Sequence, residues 1–177
     1  MDLDAPDSQQ PLGVLDLPDE PFPLEIGAGE RPTPGFIHND ARPLPDIEVV
    51  SDAREELVSL VGPGRVTVLR ACHVLEHFPY AETVNILRLW RSLLIPGGFV
   101  HLEVPNMTWQ IQACARGEIT DSEFVYYAYG EQNYSGNFHC AGFSPGILTS
   151  SLEQSGFEGI NINDIGQVLV ANANNPL

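Results

Sequence analysis

From Phe22 onward, β-rich runs alternate with helix-periodic segments, which predicts an α/β domain built on a doubly wound, mostly parallel sheet. Three observations carry the prediction. Short apolar runs ending at Gly, Asn, Asp or Pro recur along the chain. An amphipathic stretch separates two of them, and a second helical stretch with its own start and stop signals precedes two more. Strands linked through helices run parallel and need cover on both faces.

Phe22 to Ile26 is a short buried strand that runs into the Gly27-Ala28-Gly29 turn. Gly35 to Asn39 is the second strand and Ile47 to Ser51 the third. Arg65 to Ala71 follows Gly62-Pro63-Gly64 and is the fourth. Tyr80 to Leu94 places Val84, Leu87, Trp90, Arg91 and Leu94 at three- and four-residue spacing, as an amphipathic helix does. Phe99 to Val104 leaves the turn Pro96-Gly97-Gly98 and ends at Pro105. Pro145 to Ser155 is a helix with Ser144 as its N-cap and Gly156 as its stop. Ile160 to Ile162 and Val168 to Ala171 are the terminal strands. Residues 1–20, rich in Asp, Pro and Gln, are expected to form a loose leader, and 21–177 the folded domain.

The 177 residues suffice for one core without a disulfide or metal staple. The net charge of −16 arises from 24 carboxylates against 8 basic residues, every one an arginine. Such a surface repels a phosphate backbone, which excludes nucleic acid and anionic membrane as expected partners. Cys72, Cys114 and Cys140 are far apart and form neither a disulfide framework nor a zinc knuckle. The acidic N-terminus and the absence of a long apolar run point to the cytoplasm.

Ligands of such sheets sit beyond the strand C-termini, at the point where strand order reverses. The glycine turn, Asp40, Asp52, the Ala71-Cys72-His73 segment and Asn106 all fall on that edge. A dinucleotide needs a third glycine opening a helix whose N-terminus holds the pyrophosphate. Here that position is Pro32, and Arg31-Pro32-Thr33-Pro34 cannot make a regular helix. Only about ten residues separate the turn from Asp40, where a dinucleotide fold needs about twenty. The loss of a phosphate site matters less to a nucleoside ligand without phosphate.

The blocks Ala71-Cys72-His73-Val74-Leu75-Glu76-His77-Phe78, Pro96-Gly97-Gly98 and Val104-Pro105-Asn106 resemble the region after strand four in small class I S-adenosylmethionine (SAM) dependent methyltransferases. With the glycine turn before them and Asn137-Phe138-His139 and Ser155-Gly156-Phe157 after, the resemblance spans about residues 22–172. It implies a Rossmann-like sheet with an antiparallel terminal strand and a substrate cap around residues 106–143; the first helix, reduced or absent here, departs from the family pattern. It also implies that Gly27 and Gly29 border the methionine half of SAM and that Glu25 assists at its ammonium group. Asp40 takes the ribose diol, Asp52 and the Ala53 backbone hold the adenine edge, and Ala71 and His73 flank the methionine end. The sequence departs from the family pattern before strand four, where Arg65-Val66 replaces a common acidic residue.

His73-Val74-Leu75-Glu76-His77 is also formally the H-x-x-E-H motif of inverted zinc peptidases. That chemistry needs both histidines on a long helix, whereas here the motif leaves a strand and Pro79 interrupts it. No metal is expected. His77 and His139 are each either a general base for a hydroxyl or part of the framework. Among the aromatics of the cap, Tyr134 and Phe138, with Asn106, are the substrate-contact candidates. The expected activity is methyl transfer from SAM to a small-molecule acceptor, first of all a hydroxyl of a sugar or secondary metabolite. The competing reading is a methyltransferase-like binding or scaffold protein without turnover.

Overall fold

The computed structural model describes residues 17–177. Seven strands form one sheet: β1 (Phe22–Ile26), β2 (Ile37–Asp40), β3 (Val49–Val50), β4 (Val66–Cys72), β5 (Leu94–Pro105), β6 (Glu158–Asp164) and β7 (Val168–Asn174). Their order is β3-β2-β1-β4-β5-β7-β6, and only β7 runs antiparallel to its neighbours. The chain therefore goes outward from β1 to β3, then returns to place β4 on the other side of β1. That reversal opens a cleft beyond the C-terminal ends of β1 and β4. This is the Rossmann-like sheet with an antiparallel terminal strand that the sequence leads one to expect.

Strand alternation shows how the sheet is covered. Leu24, Leu69, Val100 and Ala173 form one row across β1, β4, β5 and β7, and Ile26, Ala71, Leu102 and Ala171 form the next on that face. All eight are buried. Three helices supply the matching apolar side: α1 (Glu55–Val61), α2 (Thr83–Leu93) and α5 (Pro145–Gln154). Leu57, Val61, Ile86, Leu87, Trp90, Leu93, Leu148 and Leu152 join the sheet rows in a single core. Trp90 also donates its indole N–H to the Ala53 carbonyl at 2.8 Å, which satisfies a buried donor and ties α2 to the segment after β3.

The opposite face corrects the expectation of two covered faces. Its central row reads His38, Glu25, Arg70, His101, Asn172 and Asn161 across six strands, polar throughout. Arg70 and His101 there are about a quarter exposed, at 29% and 27%. A sheet buried on both sides reads as a continuous apolar run, whereas alternation of this kind marks a face that meets water. The cause lies in the connections. No helix joins β1 to β2 or β2 to β3. Instead the loop after β1 is pinned through Glu25, whose carboxylate accepts from the Thr33 N–H and hydroxyl, both at 2.7 Å, and pairs with Arg70.

The Pro96-Gly97-Gly98 turn is absorbed into β5 as a bulge, with the partner of Val66 at Leu94 and the partner of Val68 at Phe99. Residues 80–82 form a 3-10 turn ahead of α2 rather than its first turn. Two further helices, α3 (Met107–Ala115) and α4 (Asp121–Tyr129), pack on each other beyond β5. Of the expected leader, Leu17 packs against the core and the Pro18 carbonyl accepts from Arg65; residues 1–16 lie outside the described residues. Among the described residues no helix is long and apolar enough to cross a membrane.

Candidate functional site

Two cavities open on the C-terminal edge of the sheet. The first, about 380 Å³, lies over β1 to β4 and is lined by Gly27, Asp40, Arg42, Asp52, Ala53 and Arg54, among others. Gly27 and Gly29 both adopt left-handed φ, +65° and +63°. At Gly27 a Cβ would stand 2.4 Å from Val74 Cγ2, so only glycine lets the loop after β4 close over the turn. The turn is held by Ala28 N–H donating to the Asn39 carbonyl at 3.0 Å and by Gly29 N–H donating to Asp40 Oδ2 at 2.9 Å.

Asp40 is nearly buried and heavily engaged. Besides Gly29, its Oδ1 accepts from the Arg42 N–H at 2.9 Å and from Arg42 Nε at 3.1 Å. A carboxylate offers about four lone-pair sites, so two ribose hydroxyls fit only if the Arg42 side chain swings aside. The Asp40 carboxylate in turn raises the Arg42 pKa. Asp52 stands exposed at the rim and accepts from Arg54 at 2.5 Å. Arg54 lies 4.7 Å over the Phe78 ring, and Arg42 lies 4.8 Å over the Tyr134 ring. The two arginines carry no sequence motif, and Phe78 ends the block 71–78 without a role assigned to it; only the folded strand order brings all three to the rim.

The second cavity, about 470 Å³, lies under the cap and is lined by Trp109, Gln110, Tyr126, Tyr127, Tyr134 and His139, among others. His73, His77 and Tyr134 line both cavities and so form their common wall. His73 holds a left-handed φ of +55°, unusual for a residue with a Cβ and the kind of strain that collects at functional sites.

Around that wall the cap is clamped to the short 3-10 turn Leu75–His77. The Glu76 carbonyl accepts from the N–H groups of Cys140 at 2.7 Å and Ala141 at 3.0 Å. His77 Nδ1 lies 3.1 Å from the Phe138 carbonyl, and His139 Nδ1 lies 3.0 Å from the Tyr127 carbonyl. A carbonyl can only accept, so both Nδ1 atoms carry a proton, and in the neutral ring form the lone pair sits on Nε2. The rings sit edge to face with centroids 5.1 Å apart. Burial lowers the His139 pKa, which keeps that imidazole neutral around neutral pH. The Glu76 carboxylate, 3.4 Å from His73 Nδ1, raises the His73 pKa against the opposing effect of burial.

Of the residues expected in the site, Gly27, Asp40, Asp52, Ala53, His73, His77, His139 and Tyr134 line one cavity or both. Five do not line either. Glu25 faces the polar side of the sheet and holds Thr33. Ala71 is a core residue of β4. Asn106 is fully buried as the N-cap of α3, accepting from the Trp109 N–H at 3.2 Å and donating to the Gly166 carbonyl at 2.9 Å, and this burial keeps its amide from the cavities. Phe138 contributes its carbonyl to His77 while its ring stands exposed. Gly29 acts through Asp40 rather than at the cavity wall.

The H-x-x-E-H segment lies at the end of β4 and in a 3-10 turn, not on a helix, so the zinc-peptidase geometry is absent. Glu76, His77 and His139 each bring one ligand-type atom within 4.8 Å of the others. A second group, Cys72, His101 and Glu103, converges on the polar face of the sheet. There both His101 nitrogens are engaged, by Asn172 at 2.9 Å and Glu103 at 3.1 Å, and burial pushes the Cys72 thiol up to about 12.

No protein-family model matches the chain, and no curated protein sequence does. Solved structures do match. The CurJ carbon methyltransferase superimposes with a TM-score of 0.62 at 16% identity over 92% of this chain, which spans half (50%) of that longer protein. A SAM-dependent methyltransferase from Archaeoglobus fulgidus gives 0.59 at 17% identity, covering 88% of this chain and 86% of its own. The Burkholderia thailandensis 1,6-didemethyltoxoflavin-N1-methyltransferase, solved with 1,6-didemethyltoxoflavin and S-adenosylhomocysteine bound, gives 0.60 at 17% identity over 89% of this chain and 72% of its own. The chain has the class I SAM-dependent methyltransferase fold.

Proposed function

We propose that this protein binds SAM in the cavity over β1 to β4 and transfers its methyl group to a small-molecule acceptor held in the cavity under the cap. The observation that carries the reading is the shared wall of His73, His77 and Tyr134. Methyl transfer from a sulfonium is an in-line displacement. The carbon–sulfur bond breaks as the acceptor attacks from the opposite side, so donor and acceptor need separate chambers that meet at the methyl carbon. Alignment and exclusion of water then supply most of the rate.

The acceptor we favour is a hydroxyl, as on a sugar or secondary metabolite. A hydroxyl must lose its proton on attack, and the Nε2 lone pairs of His77 and His139 stand ready on the acceptor side. The aromatic lining from Trp109, Tyr126 and Tyr127 suits a flat acceptor. Three unpaired cysteines fit a reducing compartment such as the cytoplasm. One observation favours the rival reading of a binding protein without turnover, namely that Arg42 occupies most of the Asp40 carboxylate. Release of S-adenosylhomocysteine from labelled SAM decides between them across a panel of phenols, sugars and amines. Turnover with a hydroxyl acceptor is expected. SAM binding without turnover on any acceptor favours the scaffold.

A further inference from the structure

We propose that Glu76, His77 and His139 form a site for a divalent transition-metal ion of the zinc class at the acceptor side of the shared wall. The three residues bring one ligating atom each within 4.8 Å of the others. Around a tetrahedral ion with bonds of about 2.1 Å, ligand atoms lie about 3.4 Å apart, so side-chain rotations of about an ångström close the set. Two imidazoles with one carboxylate is a donor set that zinc and its neighbours prefer over calcium or magnesium.

Two further features point to an ion. Both imidazoles already have the arrangement that metal-bound histidines need: Nδ1–H is spent on a backbone carbonyl, Phe138 for His77 and Tyr127 for His139. That bond fixes the ring and leaves Nε2 as the ligand. The Glu76 side chain is 1% exposed, and neither carboxylate oxygen has a hydrogen-bond partner among the described residues. His73 Nδ1 pairs with Oε1 at 3.4 Å without hydrogen-bond alignment, which leaves Oε2 with no partner among the described residues. A buried carboxylate oxygen with no donor is costly unless a further cation faces it.

Three protein ligands leave a fourth position open, and both histidines line the acceptor cavity. An ion seated here occupies the lone pairs that proton abstraction needs. Metal occupancy and base-assisted methyl transfer are therefore alternatives at the same atoms. The rival cluster of Cys72, His101 and Glu103 lacks an equivalent lone pair, because both His101 nitrogens are engaged.

The test uses the full chain, stripped with a chelator and titrated with zinc chloride in a calorimeter without SAM or acceptor. One equivalent is expected to bind at micromolar affinity or tighter. His139→Gln is expected to weaken binding at least tenfold, and Cys72→Ser to leave it unchanged. No saturable binding, binding that survives His139→Gln, or binding lost in Cys72→Ser overturns the proposal. Should His139→Gln fail to fold, cobalt(II) on the unmodified protein decides. Visible bands of a low-coordinate ion without a thiolate charge-transfer band support the site, and a thiolate band or a hydrated-ion spectrum contradicts it. No readout depends on SAM, so a failure here is distinct from a failure of the methyl-transfer reading.

Discussion

The cavity proposed for the cofactor and the cavity proposed for the acceptor share a wall but are built in different ways. The cofactor side is assembled from the ends of neighbouring parallel strands, and its decisive groups are a glycine turn and an acidic residue one strand later. The acceptor side is assembled from segments far apart in sequence. Glu76 holds residues 140 and 141, Asn106 reaches Gly166, and the Met107 N–H donates to the Phe143 carbonyl at 2.9 Å. The first is set by local backbone geometry, the second by a few long-range hydrogen bonds. Substitutions on the two sides should therefore fail differently.

The largest effect is expected at the wall. His77→Gln or His139→Gln should lower turnover by about 10²–10⁴-fold while SAM affinity stays close to the original. Equal loss of SAM binding would place that histidine in the framework of the cofactor side. Next comes Asp40→Ala, expected to cost about 2–4 kcal/mol of SAM binding. Arg42→Ala sharpens the point, because it frees Asp40 for the ribose and should leave SAM affinity unchanged or raise it. If Asp40→Ala keeps full affinity with the fold intact, the diol is held elsewhere.

The two glycines of the turn separate close approach from φ alone. Gly27→Ala meets the stiff Val74 side chain and should cost about 2–4 kcal/mol in thermal or denaturant unfolding. Gly29→Ala has nothing nearer than Arg42 Nη2 at 3.8 Å and should cost only about 1 kcal/mol. The smallest effect belongs to the cap. Asn106→Ala removes the N-cap of α3, worth about 0.5–2 kcal/mol, and should lower the melting temperature without moving SAM affinity. A change in SAM affinity there would mean the two sides are coupled more tightly than the geometry suggests.

The same contrast explains what could be read from the residues alone. The glycine turn, the strand positions and the ends of α5 follow from periodicity and turn chemistry, which act over a few residues. Glu25 was read as a cofactor residue because family motifs end on an acidic side chain at that place. The polar row His38, Glu25, Arg70 and His101, visible only once registers are known, assigns it to the other face. Asn106 sits at a strand end where ligands bind, yet the same position starts α3. The helix α4, absent from the sequence expectations, starts at a capping box of Thr120 and Glu123. The seven-residue α1 and the meeting of Glu76 with His139 left no periodic signal, because one is too short and the other joins residues across the cap.

The central claim, that the chamber built from the glycine turn and Asp40 takes SAM, is tested most directly by paired calorimetric titrations of the full chain with SAM and with NAD. The account predicts one equivalent of SAM bound, weakened in Asp40→Ala, and no heat from NAD, since no helix follows β1 to hold a pyrophosphate. Tight NAD binding with no SAM binding would contradict it.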